Sequence, residues 1–488
     1  MFRILEHAFG ARYDLPIPLY LFVLGGALVV VVSFLLVEGR VVAAPAAAAT
    51  ADRARLHDVR RGDWRDGVGT LAVLVLGFLI WCGLTGSQEV AENIVPTTFW
   101  LMVWIAVPLS CGVVGDWTKP MNPFAYLAGV ADSPRARQLI LGSAEPVRWP
   151  GWLGWWPAVV IFFITACGEL IYNLTVVQPD NTALALLVYA AFTTLMGFLF
   201  GRPWRERGEM FTVLYATWGR LGYFRFGAPG RRRFAGGLDV PFEPTVSRVA
   251  FVLFLLISVN FDGLLATPKW AHFEDRFPGS LTLHPDRLQT FRTITFVVLA
   301  LTVLVLFGLF ALASSYAGRH GTGFIRSLTG LLPSLLPIAF GYLLAHNIQY
   351  VLVNAQLLAP LIGNPPGQDS WPLHLPYPFN DSYEPNPHFL PSSFYWYFSI
   401  AVIVLVHVIA VVIAHRYLQE RGSSRAIARR SEYPWLVAMV GYTMFSLWLI
   451  AQPLVKESGG KSPQQSGAFV PPTTSIAATQ VHGSPPDS

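Results

Sequence analysis

Three ionisable side chains, Glu169, Asp262 and His346, interrupt stretches that are otherwise apolar. An ionisable group at membrane depth is costly to bury, so each is a candidate for binding or moving something. Counted from the centre of its own apolar stretch at the helical rise, Glu169 and His346 lie roughly 10 Å, and Asp262 roughly 6 Å, to the same side of the midplane. Three groups on three helices thus share one level. Around His346, the positions of Tyr342, Gln349 and Tyr350 line the same helix face. Asn260 and Asn354 add polar capacity nearby. Carboxylates and an imidazole at one level can take up and release protons or hold a small polar solute. They also suit a divalent ion such as zinc or manganese, although no ligand spacing within one helix supports a metal held by Glu169, Asp262 and His346. The plain alternative is that Glu169 meets the headgroups and His346 bonds a neighbouring helix; for Asp262, deeper in, that alternative is weaker.

A second pair of histidines lies on one later helix. His407 falls roughly 4 Å to the opposite side of the midplane, and His415 at that helix's end, where it reads as interfacial. Eight residues separate them by about 12 Å, too far to share a metal. A haem held between helices needs two histidines at similar depth, and His346 and His407 differ by roughly 14 Å. No cofactor is therefore predicted, and haem or a divalent metal stays open as an alternative, with His374 and His388 as further imidazoles for a redox protein. P-loop, GxSxG, HExxH, dinucleotide and CxxCH signatures are missing, so no catalytic residue is assigned and an enzyme is the weaker reading. Cys82, Cys111 and Cys167 fall inside apolar stretches and make no CxxC or disulfide framework.

The elements that must position these groups follow from composition. The 488 residues are 53% hydrophobic and 13% charged, about half the charge of an ordinary soluble domain. Apolar blocks of membrane length predict an all-α integral membrane protein of about ten transmembrane helices, near 17–37, 68–86, 97–115, 152–172, 182–201, 248–268, 293–314, 327–354, 394–415 and 434–454. Most of the 34 Lys and Arg residues fall in alternate connecting segments, which orients the chain with both termini outside. The Ala-rich run at 43–49 resembles a signal-peptide cleavage zone. The preceding apolar stretch is too long for one, and cleavage would put the Arg53–Arg65 segment outside, so the first helix is expected to be retained.

Residues 1–454 read as a single transmembrane domain and 455–488 as a disordered tail. Within the domain, Phe78 to Gly83 and Phe163 to Gly168 share a Phe-x3-Cys-Gly pattern. Each copy is followed at nearly the same distance by Trp-x4-polar-x-Phe, once as Trp117, Asn122, Phe124 and once as Trp204, Glu209, Phe211. The pattern predicts a parallel two-helix repeat of helices 2–3 and 4–5. The segment 203–225 has helical periodicity through Met210, Phe211, Leu214, Trp218 and Leu221, and reads as an amphipathic helix on the inner leaflet. Arg205, Arg207, Arg220, Arg231, Arg232 and Arg233 would anchor it on anionic lipid. The expected partner is thus the bilayer, with no nucleic acid and no protein partner indicated. The loop 355–393, rich in Pro and aromatics and free of Lys and Arg, reads as a folded outer cap.

Four segments, Val114 to Pro123, Asn260-Phe-Asp262, Pro337 to His346 and His407 to His415, resemble a family of uncharacterised polytopic membrane proteins of high-GC Gram-positive bacteria. The resemblance covers most of the chain to about residue 454 and implies a multi-pass bacterial plasma-membrane protein without implying an activity. The expected function is a transport or permease-like protein in which Glu169, Asp262 and His346, with Asn260, Gln349 and Tyr342, form an outward-facing protonatable site and His407 lies deeper on the route. A haem- or metal-binding redox protein and a non-catalytic scaffold or assembly subunit are the alternatives.

Overall fold

An apolar segment away from water must satisfy its own backbone, and the chain does so with helices. The computed structural model describes residues 19–38, 64–226, 233–276 and 284–451, with no strand among them. Helices occupy all ten predicted positions: α1 (Leu19–Glu38), α2 (Trp64–Thr85), α3 (Ile94–Val114), then two short helices α4 (Pro123–Ala131) and α5 (Pro134–Leu141), followed by α6 (Trp156–Leu170) and α7 (Pro179–Phe200). After them come α8 (Met210–Trp218), α9 (Val246–Leu265), α10 (Pro268–Arg276), α11 (Pro285–Ala317), α12 (Phe324–Asn354), α13 (Ser392–Gln419) and α14 (Arg425–Ala451). Seven helices, α2, α3, α7, α9, α11, α12 and α13, are long and apolar enough to cross a membrane. The apolar parts of α1 and α6 are shorter. The tail at 455–488 lies outside the described residues.

Local chemistry sets many helix starts. Asn93, Asn122 and Thr245 cap α3, α4 and α9 with side-chain oxygens that accept from the first free backbone N–H groups. Proline occupies the first turn of α6, α7 and α11, where its missing N–H costs nothing.

Helix packing then relies on close approach, because lipid is as apolar as a side chain and gives no hydrophobic drive between helices. The broadest seam joins α12 to α13, which run antiparallel. Gly341 lets α12 close on Val406, and Ser399 Oγ donates to the Ala345 carbonyl at 3.0 Å. Helix α12 contains Pro333 and Pro337, each removing one ladder bond. It is buried along most of its length between α9, α11 and α13. The loop after α12 is tied across the start of α3: Ser87 N–H donates to Pro366 O at 2.7 Å, Ile94 N–H to Pro365 O at 3.0 Å and Gln368 Nε2 to Thr85 O at 2.6 Å. We call this the cap end.

The segment 203–225 departs from expectation. Met210, Phe211, Val213, Leu214, Tyr215, Thr217 and Trp218 are all buried, so α8 is an interior helix packed on α3 and α6 rather than one with a face left for lipid. A helix with polar and apolar sides looks amphipathic in sequence whether its polar side meets water or, as here, buried partners. The arginines also have protein partners: Arg205 pairs with Asp132 at 3.3 Å, Arg207 with Glu243 at 3.2 Å, Arg220 donates to Val240 O at 2.8 Å, and Arg233, 41% exposed, pairs with Asp239. Arg231 and Arg232 lie outside the described residues.

Candidate functional site

Glu169, Asp262 and His346 line one pocket, contributed by the cap-end halves of α6, α9 and α12. His346 Nε2 and Asp262 Oδ2 are 2.6 Å apart, joining α12 to α9. The His346 side chain is 10% exposed and that of Asp262 31%. Across the pocket, Trp104 of α3 donates its indole N–H to Glu169 Oε2 at 2.5 Å. Glu169 is within electrostatic reach of Asp262 and His346, and Tyr350 is within reach of both carboxylates. The free volume is about 50 Å³, room for roughly four water-sized groups.

Trp104 was not legible as a site residue, and its position depends on an uncommon backbone. Residues Thr97–Ala106 of α3 form a π-helix, a widened winding that is often found at functional sites. Pro108, one winding further on, has no N–H to offer the Val103 carbonyl, and that oxygen accepts instead from Tyr215 Oη of α8 at 2.9 Å. The same defect that turns Trp104 toward Glu169 therefore docks α8. From α8, Leu214 and Trp218 join Phe162, Leu255 and Val259 in the apolar part of the lining. Trp218 is held in turn against Phe340 of α12, ring centroids 5.8 Å apart. Ser258 and Asn347 complete the polar part.

The other expected site residues lie outside this lining. Asn260 faces α14, where its Nδ2 donates to Leu256 O at 2.7 Å and to Tyr442 Oη. Tyr342 packs beside Tyr442, centroids 6.4 Å apart, and its hydroxyl has no hydrogen-bond partner among the described residues. Asn260 and Asp262 are two positions apart on a helix, so their side chains leave on nearly opposite faces. Gln349 is half-buried. His407 is fully buried, with Nδ1 2.7 Å from Ile403 O and no hydrogen-bond partner for Nε2 among the described residues. His374 and His388 are exposed on the loop. Among the described residues no three His, Cys, Asp or Glu side chains form a group that could hold a metal ion.

His415 is enclosed by protein. It is 2% exposed and lies 2.9 Å from Glu432 of α14, itself 2% exposed, whose other oxygen accepts from Gln419 at 2.8 Å. A second closed network joins Asn122 and Glu209. Glu209 caps α8 and accepts from Tyr189 Oη at 2.6 Å, Thr212 N–H at 2.7 Å and Asn122 Nδ2 at 2.8 Å. Asn122 in turn caps α4. Phe124 and Phe211, two positions after these caps, stack with centroids 5.3 Å apart. No protein-family model, curated protein or solved structure matches this chain.

Proposed function

We propose that this is a transport protein of a bacterial plasma membrane, crossing it ten times with both termini outside, and that Glu169, Asp262 and His346 are its protonatable site, open toward the outer side. The observation that carries the reading is the convergence of these three ionisable side chains, from three helices, on one pocket. Apolar helices seldom carry such groups unless they bind or conduct something. The distribution of Lys and Arg supports the orientation, which makes the cap end the outer one. Duplication of α2–α3 and α6–α7 is supported by the bond between Asn122 and Glu209 and the stack of Phe124 on Phe211, which join equivalent positions of the two copies. Transporters built from repeats commonly bind substrate near the repeat interface, and α3 and α6, which supply Trp104 and Glu169, belong to different copies.

Accessibility tests this reading. The native thiols of Cys82, Cys111 and Cys167 are buried, so they should stay silent to a membrane-impermeant thiol reagent. In right-side-out vesicles, Asp262→Cys and His346→Cys are expected to react, and Ser143→Cys to react only after permeabilisation. Site cysteines that react only from the inner side would reverse the orientation. Site cysteines silent from both sides would remove the site.

A further inference from the structure

The pocket lining presents a carboxylate oxygen and an amide oxygen with open accepting capacity, on Glu169 and Asn347. Trp104 Nε1–H is engaged by Glu169. Asn347 Nδ2 donates to Leu343 O at 3.0 Å and Ser258 Oγ to Leu255 O at 3.4 Å. The Nε2 of His346 is engaged by Asp262. Of the side-chain donors, the Trp218 indole and the second Asn347 amide N–H have no partner among the described residues. On the acceptor side, Glu169 Oε1 and Asn347 Oδ1 receive no hydrogen bond among the described residues, and the Ser258 oxygen retains accepting capacity. Charge points the same way. Asp262 and His346 balance one another when both are ionised, which leaves the Glu169 carboxylate in excess. The apolar wall mixes aliphatic side chains with three aromatic ones, Trp104 and Phe162, whose ring centroids are 5.3 Å apart, and Trp218. Aromatic faces attract cations and give nothing to an anion.

We propose that the pocket binds a small protonated amine, in competition with a proton on Glu169. This rests on the reading of the pocket as a transport site and adds its substrate class. An ammonium group brings three N–H donors to a lining that offers acceptors, and its alkyl part meets the rings. The volume of about 50 Å³ suits an amine of a few non-hydrogen atoms, and the pocket is open on the side of Asp262, whose side chain is 31% exposed. The groups facing Glu169 are Trp104 on α3, Asp262 on α9, and His346 and Tyr350 on α12. With Asp262 and His346 paired, Glu169 is neutralised either by its own proton or by the amine. Binding the cation therefore releases one proton from the Glu169 carboxyl to the outer water, and the charge of the site is unchanged.

The test uses a hydrophobic carbodiimide, which modifies a carboxyl only while it is protonated, on the purified full-length chain with modification mapped by mass spectrometry. Glu169 is expected to be modified, with Glu169→Gln as the blank. Methylammonium chloride at saturation is expected to slow that modification about tenfold, as ~90% occupancy requires. Sodium chloride at equal ionic strength should leave it unchanged. Where the proton dominates, the methylammonium concentration for half protection should fall about tenfold per unit rise in pH. Equal protection by sodium chloride, or none by methylammonium, overturns the amine assignment. A Glu169 that is never modified between pH 5 and 8 overturns the exchange. In both cases reactive cysteines at positions 262 and 346 would leave the outward-facing site standing, whereas silent ones would remove the transport reading itself.

Discussion

Two histidine–carboxylate pairs join neighbouring helices, and they differ in what surrounds them. His346 and Asp262 bridge α12 and α9 at 2.6 Å, on the wall of a pocket, with Asp262 nearly one-third exposed. His415 and Glu432 bridge α13 and α14 at 2.9 Å, both 2% exposed, with Gln419 taking the second carboxylate oxygen. The chemistry is the same and the roles diverge. A carboxylate enclosed by donors is part of the framework, as at Glu209. One on a cavity wall can still exchange partners. Surrounding volume, not residue type, separates a structural pair from a candidate site.

The largest expected effect attacks the closed class. Glu209→Ala leaves Tyr189, Asn122 and the first N–H groups of α8 without their acceptor, and should cost about 3 kcal/mol or more, read as a fall in the unfolding temperature in detergent. Glu209→Gln, which keeps one acceptor oxygen, should cost less. Next, Glu432→Ala should destabilise by about 1–3 kcal/mol, because His415 Nδ1 and Gln419 Nε2 lose the buried carboxylate that joins them. Asp262→Asn should cost less than about 1 kcal/mol in the same assay, since a partly exposed pair contributes little. It should nonetheless weaken methylammonium protection of Glu169 severalfold. A drop for Asp262→Asn as large as for Glu432→Ala would erase the contrast between the two pairs.

The smallest effect concerns an imidazole with no carboxylate. Burial, and to a lesser degree the Arg421 guanidinium, hold His320 below its ordinary range, and its Nε2 has no hydrogen-bond partner among the described residues. The unfolded chain takes up this proton near pH 6.5 and the folded chain only at lower pH. Its contribution is therefore fully present above pH 6.5 and declines as pH falls from there toward the folded value. His320→Gln should flatten this part of the stability profile between pH 7 and 5, and an unchanged profile would remove His320 from the account.

How far the site could be read in advance varies by residue. Glu169, Asp262 and His346 stand out because charge in an apolar run is a local signal and the helical rise converts position into depth. Asn260 looks equivalent to Asp262 from two positions away, yet it faces α14. Depth along the membrane normal is legible in one dimension, but azimuth around the helix needs the neighbours. Trp104 carried no signal, because its aim follows from a π-helical winding whose freed carbonyl is claimed by Tyr215 from a helix more than a hundred residues later.

The sequence by itself determined the helical class, the places of the apolar helices and the three ionisable groups within them, since each depends on hydropathy along one segment. Only the tertiary structure decided that α8 is interior, that His415 is paired with Glu432, and that Glu169, Asp262 and His346 share a pocket with Trp104. Those outcomes depend on which faces meet. A pattern of polar and apolar residues states that a polar face needs a partner, and it does not state whether that partner is water, lipid headgroup or another helix.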